Sequence, residues 1–305
     1  MHSSMSSPSE QKKTKAQVFA ARLFSTLILW AVVTAVFLSD NIWAFVGVLT
    51  LLGIFSVREY FQMTRDGGMP SQPKWGMMTG FAYLMTIAVM IGLKGGEALN
   101  SLMVIDVAFV SLVVAGGFLL QLRRPIDRKD TVIEIAITTL GFVYVAVLFS
   151  FLVRLLVLPV SSVDVVPGAW LLLWLIAVTK FTDMGAYITG SLIGKQKMIP
   201  HISPGKTWQG FGGALFFSQL AGCGLYALMP AKLEILGCWG WVIALGFVLS
   251  LLAVVGDLAE SVLKRSIGVK DSGKTLPGIG GALDLIDSLC FTAPVLYFCL
   301  RWMPH

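Results

Sequence analysis

Charge is what this 305-residue sequence has little of. Only 13 % of its residues are Asp, Glu, Lys or Arg, where a soluble domain carries roughly a quarter. With 56 % hydrophobic residues and a mean hydropathy of +0.80, that deficit excludes an ordinary cytosolic enzyme. It also excludes disorder, which needs low hydrophobicity. Cysteine is scarce: Cys223, Cys238, Cys290 and Cys299 sit in apolar stretches with no CxxC spacing and no His partner. They read as free, lipid-buried side chains, with a disulfide between two of them as the alternative. Histidine is scarcer, and His201 is the only one near the two Gly-, Lys- and Asp-rich segments, 179–210 and 256–288; no Ser/His/Asp set and no zinc-spaced cluster appears. What the chain does have is 31 Gly and 12 Pro, which membrane helices tolerate. It reads as an all-α polytopic membrane protein.

A span needs about 20 mostly apolar residues. Nine segments qualify or come close, near 18–38, 42–57, 77–93, 102–122, 132–152, 169–190, 208–229, 237–256 and 286–303. The organisation expected is a polar tail over 1–17, a multi-span region over 18–165 and a chemistry-bearing membrane region over 166–305. The first apolar run is too long for a signal-peptide core and lacks an A-x-A-like site, so it reads as a retained span. Basic residues then alternate sides. Clusters over 12–22, 58–74, 123–129, 195–206 and 264–274 fall on one side, against Lys94, Arg154, Lys232 and Arg301 on the other, with Lys180 inside a span. That bias predicts a cytoplasmic N-terminus and a C-terminus on the opposite side. The net charge of +6 is therefore mostly a topology signal, and nucleic acid is not an expected partner. Trp30, Trp43, Trp170, Trp239, Trp241 and Trp302 fall near span ends, as an interfacial belt would.

Two segments on the cytoplasmic side differ in residue type: 179–210 and 256–288, both rich in Gly, Lys and Asp. Asp183 lies within a span. Asp257 and Glu260 are three residues apart at the end of the eighth helix, Asp284 and Asp287 repeat that spacing at the start of the ninth, and Asp271 lies between. Residues three apart share a helix face, so each pair converges. An unpaired acid at bilayer depth costs roughly 2.5–3.5 kcal/mol, and clustered acids repel unless cations neutralise them. Such hard oxygen ligands suit Mg²⁺ held with substrate phosphates. The plainer alternative is that these acids pair with Lys180, Lys264, Arg265 or Lys270, or cap helix starts. Lys206, Lys264, Arg265, Lys270 and Lys274 lie among glycines, where bare backbone amides can approach an anion. Acids, bases and exposed amides together describe phosphoryl- or nucleotidyl-transfer machinery. Helix packing is the better reading for Gly212, Gly213 and Gly222. Residues 268–275, GVKDSGKT, satisfy the P-loop pattern literally, but no hydrophobic strand precedes them and no helix opens at the Lys. The P-loop reading is rejected.

Ser261-Val262-Leu263-Lys264-Arg265, Lys270-Asp271-Ser272-Gly273, Pro277-Gly278-Ile279-Gly280-Gly281, Asp284 and Asp287 closely resemble the signature of the phosphatidate cytidylyltransferases. Asp183 to Tyr187, Ser203 to Trp208 and Gly256 to Ser261 look like further blocks of that family, and together these cover about the last 40 % of the chain. Ile279 stands where the family has His, Leu285 where it has Arg, Ala282 where it has a bulky apolar residue and Gln209 where it has Glu. The missing His and Arg remove two polar groups from the site that the resemblance implies.

The resemblance implies condensation of CTP with phosphatidate to CDP-diacylglycerol and pyrophosphate, at the cytoplasmic side of a cell (inner) membrane. On this reading Asp257, Glu260, Asp271, Asp284 and Asp287 hold Mg²⁺. Asp271, Asp284, Asp287, Lys264 and Lys270 carry the chemistry. Lys206, Arg265, Asp183, Ser261, Ser203, Gly280 and Gly281 bind substrate. Membrane lipids are the surrounding partners, and a homodimer is compatible with the reading. The alternatives are a related CTP-using lipid or isoprenoid-alcohol transferase or kinase, and a transporter. Against the transporter, no internal repeat is evident and the acids gather at one membrane edge. The D-G-x-x-A-R pattern of CDP-alcohol phosphotransferases is absent.

Overall fold

A computed structural model of the chain describes residues 27–28, 31–123, 125, 128–158, 166–269, 272–273 and 280–303. Residues 31–39 are helical, and eight helices follow: α1 (Ile42–Asp66), α2 (Pro73–Lys94), α3 (Leu99–Gln121), α4 (Lys129–Leu155), α5 (Ala169–Ile193), α6 (Trp208–Leu228), α7 (Trp239–Ile267) and α8 (Ala282–Trp302). Among the described residues, seven stretches are long and apolar enough to cross a membrane. One of these, Pro73–Gln121, contains both α2 and α3. The chain turns back at Gly95–Ala98, and Gln72 and Trp75 at one end donate to Gly117 O and Val113 O at the other (both 3.1 Å). The fold is all-α and polytopic apart from one small hairpin, β1 (Lys197–Ile199) and β2 (Ser203–Thr207), paired antiparallel between α5 and α6.

Several helices outrun the apolar segments that announce them. Hydropathy falls at Gly256, yet α7 continues to Ile267. Lys264 and Arg265 suit its negative C-terminal end, Glu260 and Lys264 pair across one turn (2.7 Å), and Gly268 ends it. Gly268 has φ 76°, donating to Arg265 O while Val269 N reaches Lys264 O. That is a Schellman stop, which needs the left-handed conformation glycine adopts freely. α6 begins where Thr207 Oγ1 accepts from Gly210 N at 3.1 Å. The consequence is depth. At 1.5 Å per residue, Asp257 lies about 15 Å inside the end of α7 rather than at its tip.

α5 and α6 form the tightest helix pair. A Cβ at Gly185 would lie 2.6 Å from Gly213 O, and one at Gly213 would overlap Thr189. Gly213 is thus a packing position, as is Gly222, whose carbonyl accepts from Trp174 Nε1 at 2.9 Å; Gly212 faces open space. Gly213→Val should force the pair apart and cost about 1–3 kcal/mol, read as a lower unfolding temperature in detergent. An unchanged temperature would refute the close approach.

The four cysteines are free. Arg154, assigned by sequence to the outer side, is 1 % exposed near the end of α4 and paired with Asp106 of α3 at 2.6 Å.

Candidate active site

The C-terminal helices carry most of the chemistry-bearing side chains, and packing brings them to one place. α8 lies along α7, with Gly256 so close that a Cβ there would sit 2.7 Å from Ser288 Cα. This contact sets Asp257 and Glu260 of α7 beside Asp287 of α8. Carboxylate oxygens of all three lie within 4.8 Å of one another. Glu260 is 2 % exposed and Asp287 6 %. Asp287 also accepts from Ser288 N at 2.5 Å.

Three lysines line the cluster without closing it. Lys206, from β2, reaches Asp257 at 2.7 Å. Lys264 bridges Glu260 (2.7 Å) and Asp284 (3.0 Å), tying α7 to α8. Lys180 stands 3.8 Å from Asp183 on α5, and Asp183 interacts electrostatically with Asp257, Asp287 and Lys206. Asp284 differs from its neighbours: its second oxygen accepts from Gly281 N (2.9 Å) at the start of α8. It is a helix cap and a lysine partner, outside the three-acid convergence. The plainer expectation, that acids pair with lysines or cap helices, therefore holds for part of the set. Five carboxylates nevertheless face three ammonium groups, so the acids outnumber their basic partners.

That donor set fits a hard divalent cation. Buried Glu260 Oε1 has no hydrogen-bond partner among the described residues, and neither has the hydroxyl of buried Tyr144, where such groups are normally satisfied. Tyr144 lies in a π-helical stretch of α4, Phe142–Val147. Its ring packs on Phe291 of α8 (5.9 Å) and it interacts electrostatically with Asp287 and Glu260.

A cavity of about 290 Å³ opens beside the acids. Thr182, Asp183, Ser203, Lys206, Thr207 and Asp257 give it a polar wall, and Ala186, Tyr187, Met198, Phe211 and Val254 an apolar one. Asp257 belongs to both cavity and cluster, so a ligand in one touches the other. The hairpin that brings Lys206 is held by Gln209, whose Oε1 accepts from the backbone N–H of Lys195 (3.1 Å) and Gln196 (3.2 Å).

Of the remaining expected residues, Ser261 is half-buried on α7, Arg265 is exposed at its end, and Gly281 is buried at the α8 start. Gly280 has φ 131° beside Asp284. Asp271, Lys270, Lys274 and Ile279 lie outside the described residues. His201 is exposed in the hairpin turn. Two residues beside the site escape sequence reading: Tyr144, and Glu59 of α1, which is 3 % exposed and accepts from Leu283 N at 2.9 Å.

Comparison with known proteins places the chain in a family. A profile described as the cytidylyltransferase family matches residues 20–303. A phosphatidate cytidylyltransferase of Synechocystis sp. is 31 % identical over 312 residues, covering 94 % of this chain and 95 % of that protein. One of Staphylococcus haemolyticus is 32 % identical, covering 73 % and 79 %. The uncharacterized protein YnbB of Escherichia coli is 32 % identical, covering 76 % and 81 %. The match includes the helices that build the acid cluster and those that pack around it, and the chain belongs to the cytidylyltransferase family.

Proposed function

We propose that this enzyme condenses CTP with phosphatidate to give CDP-diacylglycerol and pyrophosphate, in a Mg²⁺-dependent step of phospholipid synthesis. The reaction is the one named for the Synechocystis and Staphylococcus relatives. The observation that carries the reading is the convergence of Asp257, Glu260 and Asp287 within 4.8 Å, beside a cavity walled by Lys206.

A phosphate monoester has a second pKa near 6, so the head group of phosphatidate is an anionic nucleophile at neutral pH. Its oxygen attacks the α-phosphorus of CTP, a new P–O bond forms, and the bond to the bridging oxygen of pyrophosphate breaks. No general base is required, which suits a site where the one histidine among the described residues, His201, is exposed in a hairpin turn. Asp257, Glu260 and Asp287 would hold Mg²⁺. When bound, the ion neutralises phosphate charge as pyrophosphate departs. Lys206 contacts a substrate phosphate from the cavity wall, and Lys264 keeps Glu260 and Asp284 in place. Asp183 and Ser203 orient the polar end of a substrate. Ser261 and Arg265 stand on the same helix for further contacts, and Lys270 and Asp271 follow on the adjoining segment. The acyl chains stay in the bilayer, which the depth of the acids favours.

Nine spans, with the N-terminus cytoplasmic and the C-terminus opposite, complete the reading. The eight helices described, preceded by the apolar run over 18–38, support that count. The ends of α1 and α7 meet at Gly67 and Ile267, which supports a single face for the basic clusters and the site. That face is the cytoplasmic side of the cell membrane.

Membranes carrying the protein, given phosphatidate, Mg²⁺ and CTP labelled at the α-phosphorus, should form labelled CDP-diacylglycerol. Label reaching an isoprenoid alcohol from the γ-phosphorus, with none entering from the α-position, would overturn the proposal.

A further inference from the structure

Glu59 stands in the half of the chain that sequence reads only as hydrophobic spans, yet its carboxylate is at the heart of the C-terminal region. It is 3 % exposed, a position a carboxylate occupies at high cost unless it is hydrogen-bonded. Its Oε2 accepts from Leu283 N at 2.9 Å, across 224 residues of sequence. Leu283 is in the first turn of α8, where backbone N–H groups have no helical partner and the helix dipole favours an anion. Asp284 satisfies Gly281 N at 2.9 Å and Glu59 satisfies Leu283 N, so one cap comes from within the helix and the other from α1.

The surrounding backbone is fitted to this carboxylate. A Cβ on Gly273 would overlap Glu59 Oε1, and one on Gly281 would lie 2.6 Å from Oε2 and also overlap Ser272 Oγ. Glu59 thus lies against both Gly273 and Gly281, two glycines whose lack of a side chain leaves room for its carboxylate. Asp287 follows Leu283 by one helical turn. A shift of the first turn of α8 therefore moves Asp287 relative to Asp257 and Glu260.

We infer that Glu59 is a positioning residue for the acid cluster, holding the first turn of α8 against Gly273 and Gly281 so that Asp287 meets Asp257 and Glu260. The inference rests on reading that cluster as a divalent-cation site. Glu59 acts through the backbone: the converging carboxylates are those of Asp257, Glu260 and Asp287, and its own Oε2 is turned to Leu283 N.

The test uses the full chain in detergent with Mn²⁺ alone, bound ion being read by electron paramagnetic resonance without CTP or lipid. Outer residues that orient metal ligands typically contribute 10–100-fold to affinity. Glu59→Ala should weaken Mn²⁺ binding about tenfold or more. Glu59→Asp should do the same, because its shorter side chain falls short of Leu283 N. Glu59→Gln should stay within about threefold of the unmodified chain, a small fraction of that range, since its amide oxygen accepts the same bond. Gly281→Ala, which leaves Glu59 chemically intact but pushes a methyl against it, should weaken binding as Glu59→Asp does. This variant and the Asp/Gln pair carry the test if Glu59→Ala fails to fold. Equal Mn²⁺ affinity in Glu59→Asp, Gly281→Ala and the unmodified chain would overturn the inference alone. Loss in Glu59→Gln as deep as in Glu59→Asp would overturn it too, since carboxylate charge rather than reach would then matter. No Mn²⁺ binding by the unmodified chain would overturn the cation reading, and the inference with it.

Discussion

Asp287→Asn should reduce Mg²⁺-dependent transfer of CMP to lipid by about 1,000-fold, equivalent to roughly 4 kcal/mol of transition-state stabilisation. The residue is 6 % exposed, and its carboxylate closes the group formed with Asp257 and Glu260. The amide keeps its shape, and its oxygen can still accept from Ser288 N, so folding should survive. Removing one of several like charges from a buried cluster relieves repulsion, so the metal-free variant should unfold at the same temperature or higher. What it should lose is the rise in unfolding temperature on adding Mg²⁺, because binding to the folded state alone is what produces that rise. Asp284→Asn provides the contrast. Asp284 is engaged by Lys264 at 3.0 Å and by Gly281 N, and Asn keeps the cap while losing the ion pair. Its activity should fall less than that of Asp287→Asn, with the Mg²⁺-dependent rise retained. Activity of Asp287→Asn above about a tenth of the unmodified enzyme, a loss of under 1.4 kcal/mol, would remove Asp287 from the ligand set.

The contrast between these acids shows how far the sequence can be read. Spacing at i and i+3 put Asp257 with Glu260 and Asp284 with Asp287, and each pair does lie toward the same side of its helix. Which members then meet across the two helices depends on how α7 seats on α8 at Gly256 and Ser288, a long-range contact that no local pattern encodes. Asp284 sits in the first turn, where an unsatisfied amide competes for its oxygen. The long apolar helices were legible because a bilayer demands nearly continuous hydrophobicity. Their ends were not, because the last turns of α1 and α7 are polar and persist through caps and ion pairs rather than hydropathy. That same extension hid Glu59. It lies two residues beyond the expected end of the 42–57 span, next to exposed Arg58, and so resembled part of a charged loop. The β1–β2 hairpin escaped notice for a related reason: its three- and five-residue strands are too short for alternation to register. Tyr144 had no signal at all, being one aromatic among many in an apolar helix.

Arg154→Ala should be the most damaging single change to stability, at about 3–5 kcal/mol, seen as a large drop in unfolding temperature. Arg154 is 1 % exposed, 2.6 Å from Asp106 and 3.0 Å from the Tyr83 hydroxyl, with its guanidinium 4.5 Å from the Phe151 ring. Tyr83 completes the network by donating to Asp106 at 2.7 Å and meeting Ser150 at 3.0 Å. Removing Arg154 strands a carboxylate between helices, where water reaches it poorly, and leaves a cavity in place of a large side chain. The damage arises from the unpaired charge rather than from lost attraction, so replacing both partners should undo much of it. Arg154→Met with Asp106→Leu should recover to within about 1–2 kcal/mol of the unmodified protein, since apolar replacement of a buried pair is often neutral. Failure of the double variant to recover would mean that the pair specifies how α2, α3 and α4 fit together, beyond satisfying its own charges. The same burial sharpens the topology argument. With Arg154 turned inward, Lys94, Lys232 and Arg301 are the basic residues left on the side the sequence reads as outer, and the expected charge asymmetry is steeper than the sequence alone suggests.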